Sequence, residues 1–571
     1  MGHFERAGAW RALTLVLAGN LAHAGAQAAP DAGRVPDLPA LRAVPDAGVL
    51  LDEARPPVTL PDHGSGALPP PEPARPAPAL SPEIRVRVSA VRITGARAFS
   101  ETDLQPLVAA LPGGERSLGE LEQAAQRITQ YYRQHDYLLA RAYLPAQEIR
   151  DGSVEIRVLE GRLGTIRLDN PSRMPDTFVS GRLAGLHEDE ALRRDALERG
   201  LLLLNDTPGL VVRSTLSPGA SVGTTDLDVR VDDGPRVNAD ASVDNYGNRF
   251  TGQYRFNASV AANNPLRLGD ALLLRAITAG EGFNYGQLSY QLPVNRQGTR
   301  LGASYAAMHY RLGEEFDKLD AHGTAQIASV FLTHPLVRSR AANLNGQVSY
   351  DHKTLNDQVG AAGVSADRRL DNLTLGLSGD RGNWLAGGGI TQGSLSLTIG
   401  NLQLDGLSAA LDAAAHHTQG HFARANLQVQ HLQPLTSRLS VYAQLSGQLA
   451  GNNLDSAEKM ILGGAWGVRA YPQGEAPSDD AWLANLELRY GFLPQWQAIL
   501  FYDAAQGWLT HSPIAADGAN RRTLSGAGAG IRWANAQGFS LQATLAWRTS
   551  GEPTSDRDRT PRFWLQLAKS I

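Results

Sequence analysis

The stretch Trp482-Leu483-Ala484-Asn485-Leu486-Glu487-Leu488-Arg489-Tyr490 decides the fold. Trp482, Ala484, Leu486, Leu488 and Tyr490 fall on one side of a ribbon of period two, while Asn485, Glu487 and Arg489 fall on the other. The period recurs upstream, where Tyr254, Phe256, Ala258 and Val260 alternate with Gln253, Arg255, Asn257 and Ser259. It recurs again at Leu288-x-Tyr290-x-Leu292, Leu439-x-Val441-x-Ala443-x-Leu445 and Phe539-x-Leu541-x-Ala543-x-Leu545-x-Trp547. A soluble sandwich would bury such apolar faces between two sheets. Long polar rows on the opposite faces, aromatics at strand ends and a last strand through Phe563, Leu565, Leu567 and Ile571 favour a transmembrane β-barrel instead. About 16 antiparallel segments fit residues 236–571, at about 21 residues per strand and connection. Closure is obligatory, because an unpaired backbone group in lipid costs several kcal/mol. A cylinder of that size is too wide for side chains to fill, so it encloses a pore, plugged or open.

Composition agrees. Of 571 residues 59 are Gly and 32 Pro, and charged residues make up only 19%. The absence of Cys excludes disulfides, thiolate nucleophiles and Cys-ligated metals. A net charge of −4 gives no reason to expect nucleic acid as a partner. Beyond the N-terminus no apolar run is long enough for a membrane helix. Arg6 and Arg11, the apolar segment from Ala12 to Ala22 and the site Ala26-Gln27-Ala28 read as a signal peptide over residues 1–28, which directs the mature chain out of the cytoplasm and away from ATP. Residues 29–83 form a Pro-rich linker, as at Pro69-Pro70-Pro71-Glu72-Pro73. Within it Asp46 to Arg55 is predicted to form a short, detachable helix capped by Asp46 and stopped by Pro56.

Two α+β domains are predicted before the barrel. Over residues 84–161, Val86 to Ile93 read as a strand ending at Gly95, Ser100 caps a helix to Leu111, and Ser117 with Glu120 forms a capping box for a second helix. That helix carries Leu118, Leu121, Ala125, Ile128 and Tyr132 at helical spacing. Strands at Ala140 to Ile149 and Val154 to Val158 follow, joined through Asp151-Gly152. Residues 162–235 repeat the order, with a strand at Thr165 to Leu168, helices near Asp176 to Leu186 and Arg193 to Leu204, and strands at Leu210 to Leu216 and Asp226 to Val231.

Signals for catalysis are absent or weak. No H-E-x-x-H, G-x-S-x-G or phosphate-loop pattern occurs. His416, His417 and His421 cluster in a Gly/Ala-rich connection without a suitably spaced carboxylate, which reads as a solvated loop and not a metal site. Gly526, Gly528 and Gly530 interrupt a strand and predict close backbone approach. The connection between the eleventh and twelfth strands, Leu462-Gly463-Gly464-Ala465-Trp466-Gly467-Val468-Arg469-Ala470-Tyr471-Pro472-Gln473-Gly474-Glu475, is too structured in composition for a floppy loop. The strand after it contains Phe501-Tyr502-Asp503-Ala504-Ala505-Gln506-Gly507. Parity turns Leu500, Tyr502 and Ala504 to lipid and Phe501 and Asp503 to the lumen. A loop folded into the pore would bring Arg469 to Asp503 as a bidentate pair; a loop left outside would leave Arg469 an ordinary solvated charge.

These segments carry a family resemblance. Val468-Arg469-Ala470-Tyr471 resembles the V-R-G-Y signature of outer-membrane barrels with periplasmic POTRA domains, and Phe501-x-Asp503-x-Ala505 resembles their F-x-D-x-G strand. Leu203-Leu204-Asn205-Asp206, Pro208-Gly209, Leu216-x-Pro218-Gly219 and Gly223-Thr224-Thr225-Asp226-Leu227 are similar to the second POTRA domain of the TpsB transporters of two-partner secretion, the hemolysin-activator or filamentous-hemagglutinin-transporter family. Val243-Asp244-Asn245-Tyr246-Gly247 is similar to the family's first barrel strand, and Tyr137, Pro145, Gln147, Gly152 and Glu160-Gly161 to its first POTRA domain. The resemblance implies an outer-membrane pore, not an enzyme, that takes no cofactor. Its partner is a large TpsA exoprotein, captured unfolded by residues within the POTRA domains. Outer-membrane lipid and the barrel-assembly machinery are further implied partners. Val468, Arg469, Tyr471, Phe501 and Asp503 become a pore-loop lock, and the Asp46 to Arg55 helix a plug. A barrel insertase of the same superfamily is the alternative, and a passive porin is disfavoured by the periplasmic domains. Ala470 stands where the family has Gly, which predicts an ordinary negative φ, and Ala505 adds a methyl near the Arg469 contact.

Overall fold

A computed structural model of the protein describes residues 45–54, 85–382 and 387–571. The segment at 1–28, most of the linker and Pro56 lie outside the described residues. Helix α1 (Ala47–Asp52) starts where expected, because the Asp46 carboxylate accepts the Val49 N–H at 3.0 Å.

The first α+β domain has strands β1 (Arg85–Val88), β2 (Ala90–Thr94), β3 (Gly114–Ser117), β4 (Arg141–Tyr143) and β5 (Ser153–Leu159). The Val86 to Ile93 segment is therefore two strands. β1 pairs with β3, and β2 runs parallel to β5 in the sheet β2-β5-β4. The predicted helix from Ser100 to Leu111 is shorter, an α-helix α2 (Glu101–Leu104) that tightens into a 3₁₀ turn at Gln105–Leu107, where Pro106 has no N–H to donate. Helix α3 (Leu118–Gln134) keeps its capping box: Ser117 N–H donates to Glu120 at 2.7 Å, and Glu120 N–H to Ser117 Oγ at 3.2 Å. The strand expected over Ala140 to Ile149 survives only as β4. Past it Pro145 lacks a donor, and the Gln147 amide substitutes for the ladder, donating to Glu155 O at 2.8 Å and accepting from Glu155 N–H at 2.7 Å.

The second α+β domain repeats this plan with β6 (Arg162–Asp169), α4 (Asp176–Arg182), α5 (Arg194–Asn205), β7 (Leu210–Pro218) and β8 (Thr224–Asp233) in sheet order β6-β8-β7. Helix α5 buries Leu197, Leu201 and Leu204 against that sheet and docks its other side on the barrel's near rim. There Asp206 holds Arg338 through two bonds of 2.6 and 2.7 Å, and Arg199 donates to Pro335 O at 2.8 Å.

Sixteen strands, β9 (Val237–Asp244) to β24 (Arg562–Ser570), close an antiparallel barrel. The alternation works as expected: Leu486 is 53% exposed on the outer wall and Glu487 4% on the inner. The seam between β24 and β9 joins five residue pairs, against eight or more at every other junction. Asn245 extends it with its side chain, donating to Phe563 O at 2.9 Å and accepting from Leu565 N–H at 2.7 Å.

Candidate functional site

Among the described residues, a loop and a helix stand out in the lumen. The first is the loop Leu462–Glu475, which connects the eleventh barrel strand, β19 (Leu439–Ala450), to the twelfth, β20 (Asp480–Leu493). Its glycines permit a fold too tight for side chains: a Cβ on Gly467 would stand 2.3 Å from Leu462 O, and one on Gly463 2.7 Å from Pro472 O. Val468 N–H closes the bend onto Leu462 O at 2.8 Å. Val468 and Tyr471 are then fully buried in an apolar cluster with Leu462, Leu483, Phe501 and Leu524. The Tyr471 hydroxyl donates to the Ser550 carbonyl.

Arg469 projects from this bend to Asp503, which lies on β21 (Trp496–Trp508), the second strand after the loop and not the first. Nε donates to Oδ2 at 2.9 Å, Nη2 to Oδ1 at 2.7 Å, and the Arg469 backbone N–H to Oδ2 at 3.1 Å. Asp503 is 0% exposed and Arg469 5%. The guanidinium carbon sits 3.6 Å from the centre of the Phe501 ring.

Sequence reasoning missed part of this constellation. Glu487 on β20 accepts Arg469 Nη1 at 2.6 Å, making the pair a triad, and accepts Arg489 Nε at 2.7 Å. Asn485 bridges Asp503 Oδ1 at 2.8 Å and Gly467 O at 3.0 Å. Both belong to the inward row of the opening stretch; the parity was visible, the shared height was not. Trp564 on the last strand donates its indole N–H to Arg469 O at 2.7 Å. Tyr246, just after the first strand, meets Trp466 of the loop and Trp564 edge-on at 5.6 and 5.7 Å.

The two alanines fit. Ala470 stays out of the left-handed region, and Gly526 makes room for it, since a Cβ there would lie 2.5 Å from the Ala470 methyl. Gly528 yields likewise to the Phe501 ring at 2.3 Å. Ala505 is fully buried in the same apolar cluster. At the loop's far end Glu475 accepts Arg522 at 2.7 Å and the Thr554 and Ser555 N–H groups at 3.0 and 2.9 Å, tying the loop to the last outer connection.

The second segment is α1, held by polar clamps at both ends. Asp46 accepts Ser456 Oγ at 2.7 Å and faces Arg368 at 3.1 Å, while Ala47 N–H donates to Asp357 at 2.8 Å. Its C-terminal carbonyls, Glu53 O and Ala54 O, accept Arg255 and Arg275 at 3.0 and 2.5 Å. Glu53 is buried, with Arg255 4.0 Å away, Asn248 N–H 3.3 Å from Oε2, and Oε1 without a hydrogen-bond partner among the described residues. Burial pushes its carboxyl up to about 7, with Asp52 and Asp244 adding to the rise and Arg255 opposing it.

A sixteen-strand barrel behind tandem α+β domains, its bore filled by its own loop and helix, defines the class of POTRA-bearing outer-membrane barrels. Residues 223–533 match the family described as haemolysin secretion/activation protein ShlB/FhaC/HecB, and residues 86–161 match the POTRA domain, ShlB-type. The chain belongs to this family, the TpsB transporters. It is 32% identical to the heme/hemopexin transporter protein HuxB of Haemophilus influenzae over 80% of this chain and 82% of that one. It is 24% identical to the outer membrane transporter CdiB of Dickeya dadantii, covering 81% and 82%. Among solved structures, CdiB from Escherichia coli superposes with a TM-score of 0.69 at 20% identity, over 88% of this chain and 94% of that one, a likeness of fold. The protein is accordingly a transporter of the outer membrane and not an enzyme, with its POTRA domains in the periplasm.

Proposed function

We propose that the chain secretes a large TpsA-type exoprotein through its barrel in an extended state. After export on residues 1–28 and insertion into outer-membrane lipid by the barrel-assembly machinery, the POTRA pair at 84–161 and 162–235 captures the unfolded cargo by strand addition, which reads main-chain groups with little demand on sequence. The barrel of residues 236–571 is the conduit. α1, within the linker at 29–83, is a plug that leaves. The triad of Arg469, Asp503 and Glu487, backed by Val468, Tyr471 and Phe501, locks the loop in register with the wall. No nucleotide site is needed, because folding of the cargo outside supplies direction.

The observation that carries this reading is how the lumen is filled. α1 is fastened at its ends by ion pairs and hydrogen bonds that water can replace, and a cavity of about 530 Å3 remains beside the loop, as suits a bore that must clear. The test is co-expression with an exoprotein encoded beside this chain, followed by assay of the medium. Export is expected only when the chain is present; equal export without it overturns the proposal. A second reading, barrel insertase, is favoured by the short seam, and it requires that locking the seam with a disulfide between Ser242→Cys and Ala568→Cys, which face each other across it, abolish activity. A secretion conduit tolerates that lock.

A further inference from the structure

The lumen wall is chemically two-sided. On β20, β21 and β22 (Arg521–Ala534) the inward residues include Glu487, Arg489, Asp503 and Arg532. On β17 (Ile390–Leu404), β18 (Gly420–Pro434) and β19 the middle of each strand is neutral. Residues 392–400, 426–432 and 440–448 contain no Asp, Glu, Lys or Arg. Alternation with the outward Leu395, Leu397, Leu427 and Leu445 turns Gln392, Gln428, Gln430, Tyr442 and Gln444 inward. Gln392, Gln430, Tyr442 and Gln444 form one hydrogen-bonded track across three strands, with Gln430 buried at its centre and Gln428 beside it. Gln430 donates to Gln392 at 2.7 Å, and the Tyr442 hydroxyl lies 2.8 Å from Gln430 Oε1 and 2.7 Å from Gln444 Oε1. Arg489, 4.1 Å above the Tyr442 ring, marks the border with the charged side.

A cavity of about 530 Å3 lies between this track and the pore loop at Ala465 to Gly467. We propose that the glutamine track of β17 to β19 is a binding site for the backbone of an extended polypeptide, the surface along which cargo moves while the loop stays in place. The inference rests on the secretion reading and names the path. Amide side chains present both donors and acceptors, matching the alternating N–H and C=O of an extended strand whatever its side chains. Each exchange of a track–backbone hydrogen bond for one to water is nearly balanced, so no position becomes a trap. Charged groups in a confined lumen would hold oppositely charged cargo residues far more strongly. The track therefore gives sequence-tolerant contact on one wall of the cavity, whose facing wall carries Arg469, Glu487, Arg489 and Arg532.

The lack of native Cys makes each introduced thiol unique. Gln428→Cys, Gln444→Cys and, across the lumen on β12 (Phe283–Pro293), Ser289→Cys are each placed in the full chain carrying Gly48→Leu. α1 has no room for that leucine, because even a Cβ at Gly48 would stand 2.3 Å from Ser456 Oγ. The variants are reconstituted in phosphatidylethanolamine–phosphatidylglycerol liposomes. The probe is an unfolded Gly/Ser/Thr/Asn polypeptide bearing one pyridyl-disulfide-activated Cys, offered from the POTRA side. Small methanethiosulfonate labelling of all three sites normalises access. The expected result is polypeptide adduct at Gln428→Cys and Gln444→Cys about threefold to tenfold faster than at Ser289→Cys, a ratio within the small net value of one hydrogen bond. Equal or reversed rates overturn the track and leave the secretion reading standing. Small-reagent labelling without polypeptide adduct at any site overturns the secretion reading itself.

Discussion

Arg469 shows why a lysine cannot replace an arginine at a forked site. Its planar head serves Asp503 twice, Glu487 once and the face of Phe501, all out of water. Arg469→Ala leaves the buried Asp503 carboxylate without its guanidinium partner, while Glu487 keeps Arg489, a loss of about 3–5 kcal/mol at the loop. It is expected to expose the loop to protease in detergent and to lower secretion. A charge swap of Arg469 and Asp503 is not expected to rescue it, because the new carboxylate at 469 would face Glu487. If both single substitutions left secretion intact, the lock would be refuted. Glu53 supplies the pH dependence. Its carboxyl is raised while α1 is docked, so docking is strongest below the ordinary carboxylate range and weakens as pH climbs through about 7. Arg255, Asp244 and Asp52 are the charges that face it. Open-channel probability in planar bilayers is expected to rise between pH 6 and 8, by up to about tenfold in the docking equilibrium. Glu53→Gln is expected to flatten that slope; an unchanged slope would dispose of the assignment.

At the scale of elements, caps and periods were legible and placement was not. Asp46 announces α1, and Ser117 with Glu120 announces α3, because capping is local chemistry. Nothing local says that α1 lies inside the bore, since its anchors Asp357, Arg368, Arg255 and Arg275 come from four strands hundreds of residues away. Strand alternation gave the inward row Asn485, Glu487 and Arg489 but not its height against Arg469, which the loop's own bend sets. The Ala140 to Ile149 strand misled because Gln147 does with a side chain what a backbone ladder does elsewhere. Gly48 carries the element-scale test. Gly48→Leu should favour helix formation yet deny the helix its seat, and is expected to raise single-channel conductance several-fold while overall folding is kept.

For the whole molecule, the barrel followed from period two and the need for closure, and the tandem domains from a repeated order of elements. The docking of α5 on the rim and the brevity of the seam were not legible, because both depend on where hairpin turns meet partners far along the chain. Asn245 makes the seam testable. Asn245→Ala removes two hydrogen bonds from the joint and is expected to cost about 1–3 kcal/mol, read as a lower temperature at which the barrel loses its heat-resistant gel migration.

The indole of Trp564 grips the backbone of Arg469, and Tyr246 leans on Trp466 and Trp564, so the loop that crowds the bore also ties together the two margins of the cylinder. Ejecting it to widen the passage would slacken the hoop that keeps lipid out. On the secretion reading, a conduit built this way would gain width by shedding its helix and would keep the loop as an internal strut, with traffic passing alongside.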